Sequence, residues 1–181
     1  MPLLIVANHV SWLDILAINA VRPVRFVSKA DVRHWPLLGW LVACGGTLFI
    51  ERERKRDALR VVHQVAQALR EGEVIAVFPE GTTSDGQGVL PFHANLLQAA
   101  IATEAPVQPL VLCYREAGAR VSRAAPYVGD TSLAESVWAV AGADGLQVHV
   151  QIEPAQATRQ LDRRALAARL RETIAGRLAA R

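Results

Sequence analysis

Cysteine and lysine are both scarce in this chain. Its 181 residues include two cysteines, Cys44 and Cys113. Both sit in apolar runs without metal-ligand spacing, so they read as core thiols in a reducing compartment rather than a disulfide framework or a zinc module. Of the 20 basic residues only Lys29 and Lys55 are lysines. The rest are arginines, the better fork for phosphate and carboxylate. A net charge of +3 is too mild to indicate nucleic acid, and neither a zinc-finger pattern nor an aromatic-rich RNA-binding strand is present. Long hydrophobic runs are missing as well. The uncharged stretch from Pro36 to Ile50 falls short of the roughly 20 residues of a spanning helix and is broken by Gly45-Gly46. No segment spans a bilayer by itself, which leaves surface association open. Pro2 to Ala7 is too short and lacks the basic flank of a signal peptide. No G-x-S-x-G elbow exists, which argues against an α/β-type serine hydrolase.

What is present is a hydrophobic content of 51%, enough to build one ordinary core. Without repeats, low-complexity tracts or linkers, residues 1–181 read as a single domain. Leu3–Val6, Arg25–Val27, Thr47–Ile50, Val74–Phe78 and Val107–Cys113 are short apolar strand candidates. Trp12–Ala20, Leu37–Cys44 and His93–Thr103 read as helices between them. Asp57–Leu69 is an amphipathic helix with Leu59, Val62, Ala66 and Leu69 on one stripe and Gly72 as its stop. Leu146–Ile152 alternates strictly, the mark of a half-buried strand that is antiparallel or near an edge. Leu166, Leu170, Ile174 and Leu178 stripe a last helix. The expected fold is α/β, a single layered domain with a mixed, mostly parallel sheet flanked by helices.

Three segments at strand ends carry candidate chemistry. In Asn8-His9-Val10-Ser11-Trp12-Leu13-Asp14, helical spacing would separate His9 and Asp14 by about 140°. His9 must therefore precede the helix, with its ring folded back so that Asp14 fixes the tautomer and the other nitrogen acts as a general base. A helix N-terminus nearby disfavours the imidazolium. Ser11-x-x-Asp14 equally reads as a capping box, with His9 an ordinary turn residue. The two readings are compatible and both stand.

The second segment is Gly45-Gly46-Thr47-Leu48-Phe49-Ile50-Glu51-Arg52, followed by Arg54, Lys55 and Arg56. Positive charge ahead of a helix N-terminus suits a visiting anion. Arg52 is the candidate contact, and the later three read as a solvated run. In the third, Phe78-Pro79-Glu80-Gly81-Thr82-Thr83-Ser84, Gly81 permits close backbone approach and the hydroxyls can donate. Glu80 would repel phosphate, so it reads as a brace for Arg52 or an acceptor for a hydroxyl. An ordinary Pro-Gly turn is the alternative. Pro106 and Pro109 flank Val107 in a structural role at the start of a strand.

Taken in order, these blocks resemble the glycerolipid acyltransferase family, typified by 1-acylglycerol-3-phosphate acyltransferases. The N-H-x4-D block corresponds to Asn8, His9 and Asp14, and the G-x-x-F-x-x-R block to Gly46, Phe49 and Arg52. The F-P-E-G-T block corresponds to Phe78 through Thr82, and the V-x-P strand to Val107 and Pro109. The resemblance covers residues 1 to about 115. It implies that His9 deprotonates a lysolipid hydroxyl, with Asp14 as partner. The hydroxyl then attacks an acyl-CoA or acyl-carrier-protein thioester directly. It further implies acceptor or substrate contacts at Asn8, Gly46, Phe49, Arg52, Phe78, Pro79, Glu80, Gly81, Thr82 and Thr83. No metal or cofactor and no nucleic-acid partner is implied, and the expected location is peripheral, on the cytoplasmic face of a membrane.

Family members commonly carry hydrophobic helices before the His block; this chain begins at the strand itself, so either an N-terminal membrane-associating segment is lacking or its own surface makes the membrane contact. Trp35, Leu37, Leu38, Trp40 and Leu41 form an apolar patch that is the sequence's own candidate for membrane contact. Lysophosphatidate enzymes often have Arg where this chain has Thr83. That makes a lyso-ornithine-type lipid a second acceptor candidate, unless Arg22, Arg25 or Lys29 restores the charge. A non-catalytic lipid-binding module, or a serine hydrolase using Ser11 or Ser84, is the rival reading.

Overall fold

The computed structural model describes residues 1–29, 39, 47–50 and 55–180. The chain runs β1 (Leu3–Ala7), α1 (Leu13–Val21), β2 (Arg25–Lys29), β3 (Leu48–Ile50), α2 (Lys55–Arg70), β4 (Val74–Val77), α3 (Leu97–Thr103), β5 (Val107–Arg115), α4 (Leu133–Gly142), β6 (Gln147–Ile152) and α5 (Arg163–Ala179). The strands form one sheet in the order β3-β2-β4-β1-β5-β6. All neighbours are parallel except β5 and β6. The alternating late segment is thus both antiparallel and an edge, and the α/β expectation of a mixed, mostly parallel sheet holds.

β1 lies between β4 and β5, with helices on both faces of the sheet. Its five residues are all buried, which is why its sequence is uninterrupted apolar rather than alternating. Leu4 and Val6 pack with Ile75, Val77 and Val111 against α2, α3 and α5. Leu3, Ile5 and Ala7 pack with Phe26, Leu112 and Tyr114 against α1. Pro109 lies just beyond the last β5–β6 pair, Leu110 with Ile152, so its missing N–H interrupts no ladder bond to β6.

Two expectations shift, one helix is new, and one expected segment goes undescribed. α2 buries Val61, Val65, Ala66, Ala68 and Leu69, while Leu59 is 64% exposed. Six residues from Val65, Leu59 sits about 120° around the axis from it. The helix expected from His93 begins at Leu97, because the preceding residues are held elsewhere: the His93 N–H donates to the Pro79 carbonyl at 2.8 Å. α4 was not anticipated, although Ser132 and Glu135 form a capping box at its start. Gly39 apart, the helix expected at Leu37–Cys44 lies outside the described residues, as do Trp35, Leu37, Leu38, Trp40 and Leu41 of the apolar patch, and Cys44. Cys113 is buried and free.

Candidate active site

The carboxyl end of a central strand, flanked by strands that the chain visits at different times, is where open α/β sheets leave a crevice. β1 ends there, and the next four residues are tied down almost group by group. The Asn8 side chain behaves like one more ladder residue. Its amide donates to the Leu112 carbonyl at 2.9 Å and accepts from the Leu112 N–H at 2.8 Å. His9 donates its N–H to Glu80 Oε1 at 2.6 Å, and its carbonyl accepts from the Ser84 N–H at 2.8 Å and the Ser84 hydroxyl at 3.2 Å. The Val10 carbonyl accepts from the Tyr127 N–H at 2.9 Å.

Asp14, in the first turn of α1, is fully buried. Its Oδ2 accepts from the N–H groups of Val10 and Ser11 at 2.7 and 3.1 Å and lies 2.7 Å from His9 Nδ1. Its Oδ1 accepts from the Tyr114 hydroxyl at 2.7 Å. A buried carboxylate with four donors is fully compensated, which burial of a charge requires. Asp14 satisfies N–H groups ahead of the helix and lies within hydrogen-bond reach of the imidazole. The capping box of the other reading does not form: among the described residues the buried Ser11 hydroxyl has no partner. The anionic acceptor places the proton on Nδ1, leaving Nε2 with its lone pair. The His9 side chain keeps 21% of its exposure and stacks on Phe78, centroids 4.1 Å apart at 12°.

The turn after β4 supports this loop from below. Pro79 and Glu80 are buried, and Gly81 adopts φ +73, a conformation that a side chain disfavours. Glu80 Oε2 accepts from the Leu90 N–H at 2.7 Å. Both carboxylate oxygens are thus committed to backbone N–H groups of two loops. Burial pushes the Glu80 carboxyl above the ordinary glutamate range, and the bonds from Leu90 and His9 partly offset this.

The expected site residues separate into three groups. His9, Asp14 and Phe78 come together in one cluster, with Thr82 exposed and Gly81 shaping the turn after Phe78. Asn8 and Glu80 were expected to meet substrate; their polar atoms instead bind backbone, because both are buried where the loop needs partners. The Thr83 hydroxyl donates to the Tyr127 carbonyl. Gly46 and Arg52 lie outside the described residues, and Phe49 lies in β3. Arg25 pairs with Glu73 at the amino end of the sheet, level with Leu4. At about 3.3 Å per residue it is roughly 16 Å from the end bearing His9. It and Arg22, still further along, do not restore the charge that Thr83 lacks; Lys29 alone ends a strand at the right edge. Neither Ser11 nor Ser84 is hydrogen-bonded to the imidazole, so the serine-hydrolase reading has no nucleophile–base pair. Tyr114 and Tyr127 were missed. No local pattern marks them, since their partners lie dozens of residues away in the chain, 44 for Thr83 with Tyr127 and 100 for Asp14 with Tyr114.

The comparisons with known proteins point to one family and one fold. The model of the family described as Acyltransferase matches residues 1–113. The chain is 38% identical over 173 residues to a lyso-ornithine lipid O-acyltransferase from Pseudomonas aeruginosa, covering 96% of this chain and 66% of that protein. It is 39% identical over 173 residues to a 1-acyl-sn-glycerol-3-phosphate acyltransferase from Neisseria meningitidis, covering 94% and 67%. The crystal structure of the 1-acyl-sn-glycerophosphate acyltransferase PlsC from Thermotoga maritima has the same fold. Its TM-score is 0.69 at 22% identity, covering 99% of this chain and 66% of that one. The chain spans about two thirds of the length of these relatives. With its four blocks in order and the family model matching through residue 113, this chain belongs to the acyltransferase family.

Proposed function

We propose that this protein is an O-acyltransferase that moves a fatty acyl chain from acyl-CoA or acyl-carrier protein to the hydroxyl of a lysophospholipid. The observation that carries the reading is the His9–Asp14 pair: a partly exposed imidazole at a strand end, held at 2.7 Å by a buried, fully bonded carboxylate. The acceptor hydroxyl donates to His9 Nε2. As its proton passes to the ring, the oxygen attacks the thioester carbonyl. The tetrahedral intermediate then collapses, the C–S bond breaks, and the imidazolium returns the proton to the leaving sulfur. Asp14 holds the tautomer and balances the transient positive charge. Release of free thiol from acyl-CoA across a panel of lysolipids tests this directly. Tight lysolipid binding without thiol release would instead identify a non-catalytic lipid-binding module.

The acceptor we propose is 1-acylglycerol-3-phosphate, supported by the Neisseria meningitidis relative and by Arg52 in the family's motif position. The second reading is a lyso-ornithine-type lipid, supported by the Pseudomonas aeruginosa relative and by Thr83, which offers no charge for a phosphate monoester. Side-by-side kcat/KM values for the two acceptors distinguish them. Residues 1–181 act as a single acyltransferase domain in this reading, working peripherally at the cytoplasmic face of a membrane, where lysolipids reside. No described helix is long and apolar enough to cross a bilayer. Helix α4 supports surface contact: Ser136 faces the protein and accepts from Trp12 Nε1 at 3.0 Å, while Val137 and Trp138 are exposed, Trp138 to 83%.

A further inference from the structure

We propose that Tyr114 is a positioning residue of this site: its hydroxyl pins Asp14 and, through Asp14, tempers how strongly His9 takes up a proton. The inference rests on the acyl-transfer reading and deepens it.

The three donors on Asp14 Oδ2 all come from residues 9–11, within five positions of the carboxylate. They share one oxygen, and a loop that moved would carry all three with it. The bond to Oδ1 is different. It comes from β5, a hundred positions along the chain, and it alone fixes the carboxylate against the sheet. The Tyr114 ring is buried in the core beneath α1 with Leu112, Ile15 and Ile18. The hydroxyl position is therefore set by sheet packing rather than by the loop that it steadies.

Tyr114 is a donor and not a base. Burial, with the negative charge of Asp14 added, drives its phenol far above the ordinary tyrosine range, so the proton stays on oxygen at any working pH. The O–H dipole turns its positive end toward the carboxylate and absorbs part of its charge. Without that bond, Asp14 would act more fully on His9, and the imidazolium would be favoured. Among the described residues, the other titratable group facing the pair is Glu80, which binds the His9 N–H from the turn after β4. Phe78, against the ring face, is apolar. Removing the Tyr114 hydroxyl thus moves His9 titration upward, with Glu80, which feels the charge of both Asp14 and His9, coupled to the change.

The test is Tyr114→Phe, followed by thiol release as a function of pH and by NMR titration of the His9 imidazole, which needs no turnover. Turnover should fall roughly 10-fold, the scale of one hydrogen bond to a charged group. KM for the acceptor should stay within about twofold, since the residue does not touch substrate. The acid limb of kcat/KM and the imidazole midpoint should both rise by a few tenths of a unit or more, about the size of one altered neighbour. If Tyr114→Phe fails to fold, 3,5-difluorotyrosine at position 114 keeps the hydroxyl but makes it a stronger donor, and both midpoints should then fall. A lower melting temperature with unchanged midpoints would reduce Tyr114 to a packing residue and overturn the proposal. Absence of acyl transfer in the wild type would instead strike at the function, because the NMR midpoint still reports the Tyr114–Asp14–His9 linkage.

Discussion

Residues 1–113 and residues 114–180 contribute to this site in different ways. The first region contains every recognisable block, and the family model ends at residue 113. The second begins, one residue later, with the side chain that holds Asp14 from the sheet. It continues with Tyr127, which receives Thr83 and donates to Val10, and with Ser136, which receives Trp12. The groups proposed to do chemistry are confined to short motifs because a turn can set their mutual geometry. Groups that keep the geometry come from wherever the fold brings a partner, so their sequence positions follow no motif.

The comparison can be broken most sharply at its reactive end. His9→Ala should lower turnover by a factor on the order of 10² to 10⁴ while leaving the melting curve intact. Activity within a few-fold of wild type, in folded protein, would remove His9 from the mechanism.

Asp14→Asn separates orientation from capping. One amide oxygen can still accept from Val10 and Ser11, and the NH2 can face the Tyr114 oxygen. Stability should therefore fall by only about 1 kcal/mol, roughly 2–4 °C. Turnover should fall by a factor on the order of 10² or more, since the tautomer is no longer enforced. A large loss of stability with normal specific activity would reverse the assignment.

Glu80→Gln tests the brace within the first region. One of the two N–H groups, of His9 or Leu90, would then face an amide NH2, and an unsatisfied buried donor costs about 1–3 kcal/mol. Calorimetry at neutral pH measures this loss. Glu80 also carries a pH signature. Its folded carboxyl titrates above the unfolded one, so its contribution is full below the ordinary glutamate range and is lost as pH rises through the raised value. That decline should be missing from the stability profile of Glu80→Gln.

The smallest effect concerns the outer face of the second region. Trp138→Ser should weaken sedimentation with anionic vesicles several-fold, as expected for one interfacial indole, while activity on a water-soluble short-chain acceptor stays unchanged. Equal vesicle binding by both forms would leave α4 without a membrane role.

Much of the fold was legible because its signals are local. Unbroken apolar runs marked β1, β4 and β5, strict alternation marked β6, and a four-residue stripe marked α5. The elements misjudged were those whose limits depend on distant contacts. His93 was drawn out of a helix by the Pro79 carbonyl, and Leu59 lay on a stripe that the sheet did not cover. The capping box of Ser132 and Glu135 was a readable signal for α4, but with Val137 and Trp138 exposed the helix gives no clean apolar stripe to confirm it.

The sequence by itself determined that His9 precedes a helix with Asp14 within reach, because helix geometry forbids the pair from meeting any other way. It also determined the family, through four short blocks in order. Only the tertiary structure decided what Asn8 and Glu80 do. A polar side chain at a strand end can meet a ligand or satisfy a backbone, and its burial settles which. Tertiary structure alone also brought Tyr114 to Asp14, because that hydrogen bond depends on β5 lying beside β1 in register, a pairing that spans a hundred residues of chain.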